Sequence, residues 1–162
     1  MLKYVDLKIV FAEVPDEVSL AISISGCPHR CPNCHSSYLA GDIGIPLKTK
    51  VIDALIRDNQ GITCICFMGG DSNHTYLNKL ARYIKDNYSD IKIAWYSGNK
   101  EISDKIDLWN FDYIKVGPYI EELGPLSSET TNQIMYRIVH LSSGKSKLYD
   151  ITYKFRRYET ED

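Results

Sequence analysis

Residues 18–37, "VSLAISISGCPHRCPNCHSS", change character half-way along. Val18 to Ser25 alternates aliphatic residues with small polar ones, the period of a half-buried strand, and Gly26 stops it. Cys27, Cys31 and Cys34 follow at once, spaced C-x3-C-x2-C. The stretch therefore predicts a strand feeding directly into a loop of thiols. From Gly26 to about Pro46 no period appears, and structureless stretches of that length in compact domains are usually functional.

Working outward, "PLKTKVIDALIRDNQG" (46–61) puts Val51, Ile52, Leu55 and Ile56 on one helical face, with Pro46 near the first turn and Gly61 as a stop. "ITCICFMGGDSN" (62–73) is a continuous apolar run closed by two glycines and reads as a buried strand. Asn73 is a candidate N-cap for a helix over 74–88, whose stripe is Tyr76, Leu77, Leu80, Tyr83 and Ile84. "IKIAWYSG" (91–98) reads as a strand, "SDKIDLW" (103–109) as a short helix, and "DYIKVGPY" (112–119) as a strand ended by Gly117 and Pro118. Such alternation implies an α/β fold with parallel strands and right-handed crossovers. Beyond Pro118 the pattern dissolves, and "IMYRIV" (134–139) and "KLYDITYKF" (147–155) read as a C-terminal β-rich segment. Strand C-terminal ends form the ligand face of parallel sheets, so the cysteine loop and the Gly69-Gly70-Asp71 turn should converge there.

The chain has 162 residues, 44% hydrophobic and 25% charged, which fits one globular domain over residues 1–162. A net charge of −2 offers no broad attraction to nucleic acid or anionic lipid. Lys3, Asp6, Lys8 and Glu13 interrupt the opening residues, and no apolar run approaches a membrane span, so a cytoplasmic protein without nucleic-acid or membrane partners is expected. Thiols stay reduced there, and five cysteines, an odd number, point to metal or redox work rather than a disulfide framework.

A cubane iron–sulfur cluster takes one thiolate per iron. Three close cysteines hold three corners and leave one iron open for chemistry. The rival is a zinc site of three cysteines with His29 or His35. Cys64 and Cys66, two apart in a strand, share a face; they are either a second metal or redox site or small buried hydrophobes. His74 and His140 stand alone in the sequence and read as surface or satisfied core histidines. Ser97 and Gly98 end a strand on the ligand face, where they either meet a ligand or form an ordinary turn. The helical spacing of Tyr76 and Tyr83 favours packing over a radical relay.

The cysteine spacing on the first strand, followed by a Gly-Gly-acid turn on the next, resembles the radical S-adenosylmethionine (radical SAM) superfamily. With "SGCPHRCPNCHS", "CFMGGDSN", "YSG" and "DYIKVGPYIEELGPLSSETTNQIMYRI", the chain is similar to the activating proteins of anaerobic ribonucleoside-triphosphate reductases from about Val18 to Ile138. The resemblance implies a shortened, incomplete radical SAM (β/α) barrel. It implies a 4Fe-4S cluster on Cys27, Cys31 and Cys34, with S-adenosylmethionine on the free iron. Reductive cleavage would give a 5′-deoxyadenosyl radical that takes hydrogen from a glycine of the large reductase subunit, with electrons from a reducing donor. Asn33, Cys34 and His35 would lie near the adenosyl part, Gly69, Gly70 and Asp71 would receive the amino group, and Ser97 would face the carboxylate or ribose. Asn33 stands where the superfamily often has an aromatic, Asp71 where glutamate is common, and "AEVPDEVS" (12–19) where many activators have a glycine-rich loop. The same cofactors would also serve an activase of another glycyl-radical enzyme or a small-molecule radical SAM enzyme, and the zinc reading would make the chain a non-catalytic binding module.

Overall fold

Among the described residues, eight strands form one sheet: β1 Lys3–Val10, β2 Ser19–Ile24, β3 Ile45–Pro46, β4 Cys64–Met68, β5 Lys92–Tyr96, β6 Tyr113–Val116, β7 Ile134–His140 and β8 Ser146–Asp150. Two helices, α1 Thr49–Asp58 and α2 His74–Asn87, connect its centre. This computed structural model describes the backbone of residues 1–159 and the side chains of residues 1–156. The strand order is β3-β1-β2-β4-β5-β6-β7-β8. The central four, β2, β4, β5 and β6, are parallel, and every flanking pair is antiparallel.

The α/β class and the parallel centre match the expectation. The shortened, incomplete barrel is met only in part: the sheet is open and mixed, with antiparallel β3 and β1 at one margin and the C-terminal β7 and β8 at the other. Three further readings are corrected. β1, "KYVDLKIV", is a full strand where the sequence reading assigned no element. The helix expected over 103–109 shrinks to a 3-10 turn at Leu108–Asn110, where the Asp107 side chain accepts from the Trp109 N–H. The last strand stops at Asp150, whose carboxylate accepts from the Thr152 N–H at 2.9 Å and turns the chain into a 3-10 helix, Thr152–Glu159. Pro46 sits in β3, three residues ahead of α1.

Both faces of the parallel centre are covered, which is why its strands are predominantly apolar. On one face, Leu20, Ile22, Ile65, Phe67, Trp95 and Ile114 meet the apolar stripes of α1 and α2. The Asn73 side chain caps α2 by accepting from the Tyr76 N–H at 3.0 Å, as the sequence indicated. Tyr76 and Tyr83 pack on this core with their hydroxyls donating to the Leu47 carbonyl and the Asp53 carboxylate. On the other face the strands carry small side chains, Cys64, Cys66 and Ala94, and the loop residues Val14, Leu126 and Ile151 lie over them with Phe155 of the C-terminal 3-10 helix. Cys64 and Cys66 are fully buried there, as packed hydrophobes.

Burial pushes the Cys64 thiol up to about 12 and the Cys66 thiol well above its ordinary value. The fold then keeps protons that the unfolded chain releases from about pH 9. The stability so contributed is complete below pH 9 and falls by about 1.4 kcal/mol per pH unit for each thiol as pH rises toward 12. Urea unfolding between pH 8 and 11 is expected to show this decline, and the Cys64→Ala, Cys66→Ala double variant to flatten it. Parallel pH profiles for the two proteins would contradict the assignment.

Candidate metal centre

Gly26, at φ +75°, turns the chain out of β2. Its N–H and that of Cys27 donate to the carbonyls of Gly41 (3.1 Å) and Leu39 (3.0 Å), so the cysteine loop is closed at its base by its own return. Inside the loop the Cys34 N–H donates to the Cys31 carbonyl at 3.2 Å. Arg30 and Asn33 take left-handed φ values of 49° and 58°, an uncommon conformation for residues with side chains and one that marks a constrained loop. Cys27, Cys31 and Cys34 are free thiols and partly exposed.

The three thiols stand between two cavities. The outer one, about 260 Å³, is lined by them with Arg30 and Ser36. The inner one, about 190 Å³, lies between the thiols and the strand ends, where Gly69, Asp71, Ser97 and Lys115 face it. The loop and the glycine turn therefore converge as expected. Gly70 faces away, toward Leu77 and Leu2. Asn33 and His35 lie outside both cavities: the Asn33 Nδ2 donates to Glu121 at 2.6 Å, and the His35 ring stands edge-on to Tyr119 with centroids 5.5 Å apart.

Gly69 and Gly70 have φ of +117° and +111°, and a Cβ on Gly69 would lie 3.0 Å from the Ile24 carbonyl oxygen, so the turn needs glycine. The Gly69 carbonyl accepts from the Trp95 indole N–H at 2.9 Å, and a carbonyl oxygen has a second lone pair.

Asp71 is the most heavily bonded group here. Its side chain is 4% exposed. Oδ1 accepts from Ser97 Oγ (2.8 Å), His74 Nε2 (3.1 Å) and Asn99 Nδ2 (3.3 Å), and Oδ2 from His29 Nε2 (2.7 Å) and the Gly98 N–H (2.8 Å). An ionised carboxylate only accepts, so both Nε2 atoms carry hydrogen. Burial alone would raise its pKa, but the donors, led by Gly98 N–H and Ser97, hold it below the usual carboxylate range. His74, which looked isolated in the sequence, is thus a partner of Asp71, and the Asp-x-x-His spacing at the helix start was its one local signal.

Lys115 went unnoticed, although a lone lysine inside "YIKV" is a signal. It is 8% exposed, and its Nζ donates to the carbonyls of Ser97 (3.2 Å) and Gly117 (3.0 Å). Burial lowers its pKa to about 8, against the pull of Asp71 and then of the cysteine thiolates. The inner cavity thus holds a buried cation facing the thiols.

Among the described residues no three His, Cys, Asp or Glu side chains gather closely enough to hold a single metal ion. A four-iron cluster spreads its thiolates, one to each iron, and three partly exposed thiols on one loop suit it in donor type and access. Residues 18–138, from the start of β2 into β7, match the model of the family described as the 4Fe-4S single cluster domain. The chain belongs to this 4Fe-4S single cluster family. No curated protein and no solved structure matches the chain significantly. The span of the family match takes in the cysteine loop, Asp71 and Lys115 alike. Among the described residues no helix is long and apolar enough to cross a membrane.

Proposed function

We propose that this 4Fe-4S protein is a radical SAM activase that installs a glycyl radical on the large subunit of an anaerobic ribonucleoside-triphosphate reductase. The observation carrying the reading is a loop of three accessible thiols that faces a glycine turn across one cavity, in a chain of a four-iron family. In this reading Cys27, Cys31 and Cys34 ligate three irons and the fold is the open relative of a radical SAM barrel. When bound, the cluster and S-adenosylmethionine would supply cleavage of the sulfonium by one electron from a reducing donor, to methionine and a 5′-deoxyadenosyl radical able to take the glycine hydrogen.

The chain's own residues prepare that chemistry. Lys115 presents positive charge to an anionic cluster and to a carboxylate in the inner cavity. The absent side chains of the glycine turn let an amino group approach backbone oxygen. Ser97, 1% exposed and donating to Asp71, contributes to the cavity wall rather than a free hydroxyl. Asn33 and His35, on the outer rim beside Tyr119 and Glu121, are placed for an adenosyl group that extends outward. A reducing cytoplasm and a reducing protein donor fit thiols kept free.

Anaerobic reconstitution is expected to load about four irons and four sulfides per chain. Reduction with S-adenosylmethionine should then release 5′-deoxyadenosine, and adding the reductase should produce the glycyl-radical doublet in electron paramagnetic resonance. A loaded cluster that never cleaves S-adenosylmethionine would overturn the radical reading, and one zinc per chain in place of iron would overturn the cluster. Cleavage without a reductase radical would direct the search to another glycyl-radical enzyme or a small substrate.

A further inference from the structure

The cysteine loop is tied at its base, but the segment carrying its middle thiol is almost free. Pro28 and Pro32 have no N–H to donate, and Pro28 and Arg30 are exposed. Among the described residues, the one hydrogen bond from residues 28–31 to the chain outside the loop runs from His29 to Asp71. Two independent features serve that contact.

The first is the acceptor. Asp71 is held by Ser97, the Gly98 N–H, Asn99 and His74 without any help from His29, so it is fixed in place before the loop arrives. The second is the seat. Gly98 has no positive φ, so its backbone does not demand glycine. Space does: a Cβ there would lie 2.6 Å from His29 Cδ2 and 3.0 Å from Cγ. The imidazole lies flush on backbone that any other residue would lift. The docked ring is only 20% exposed within an otherwise exposed segment.

We propose that His29 is a positioning residue, which through its bond to Asp71 and its seat on Gly98 holds the Cys27–Cys31 segment over the strand ends and sets the arrangement of the thiols. The inference rests on the cluster reading above and adds a role for a residue outside the ligand set. It also accounts for aspartate at position 71, since one more methylene would push the carboxylate out of a pocket already filled by five donors.

The cluster-free protein gives the first test. His29→Ala is expected to speed exchange of the hydrogen-bonded Cys27 and Cys34 amides about tenfold while exchange in β5 stays unchanged; unaltered exchange would overturn the proposal whatever the wild type binds. In the loaded protein, His29→Ala is expected to lose iron to a chelator about tenfold faster and to show an altered resonance spectrum of the reduced cluster. His29→Gln, which keeps an N–H for Asp71, should recover most of the wild-type behaviour. Gly98→Ala should reproduce the His29→Ala defect on its own but add nothing to it in the double variant, because its clash is with the imidazole. Full additivity of the two substitutions would contradict the seat. Wild-type protein that loads no cluster but loses loop protection on His29→Ala would overturn the proposed function and leave the positioning of the loop standing.

Discussion

Cys31→Ala is expected to take iron content from about four per chain to less than about one after anaerobic reconstitution, and cleavage of S-adenosylmethionine to the detection floor. Cys31 is the middle thiol of the loop and lines both cavities, so on the proposed ligand set its loss would leave two thiolates at the loop's ends and uncover a second iron. The folded protein should be little affected, because the thiol is partly exposed and neither hydrophobic core contains it. Cys66→Ala is the control with the opposite profile. It removes a fully buried thiol of β4, outside the cysteine loop, and should cost about 1 kcal/mol of stability while iron content stays at the wild-type value. Iron retained by Cys31→Ala, or lost equally in both variants, would show that the loop is not the ligand set.

Trp95→Ala is expected to cost about 4 kcal/mol, lowering the unfolding midpoint by about 10 °C. The side chain is fully buried, tilts against Phe111 with centroids 5.9 Å apart, and meets the His74 ring edge-on at 5.5 Å. It also joins the core to the site through its bond to the Gly69 carbonyl. Trp95→Phe separates these roles. It keeps most of the apolar volume but leaves that carbonyl without its indole donor, so about 1–2 kcal/mol should be lost and, on the proposed function, S-adenosylmethionine should bind more weakly as the turn loosens. Calorimetry and equilibrium dialysis of the loaded protein measure the two effects. Unchanged ligand affinity in Trp95→Phe would mean that the indole only fills space.

What the sequence revealed follows from how local the causes were. The stripes of α1 and α2, the cap at Asn73 and the apolar runs of the parallel strands are written in windows of a dozen residues, and they formed where expected. β1 was harder, because Leu7 and Ile9 are 41% and 37% exposed and the strand takes its register from β2 and β3, which lie later in the chain. The end of β8 depended on one aspartate turning back on its own backbone. At the site, the three cysteines and the glycine turn could be located from spacing alone. The partnership of His29 with Asp71, 42 residues apart, could not, nor could the space that Gly98 leaves for a ring from another loop. Lys115 showed itself as a charge in an apolar strand, but its surroundings come from three separate segments.

The sheet order has a kinetic consequence. Apart from β3, each strand pairs with its predecessor in the sheet as it is added, so assembly can run along the chain by short-range steps. β3 instead returns to β1, a template already in place, and thereby fixes both ends of the thiol loop. Neither core draws on the loop thiols. Unlike small metal-dependent modules that are unfolded until loaded, this protein builds its receptacle first and receives its inorganic cargo second.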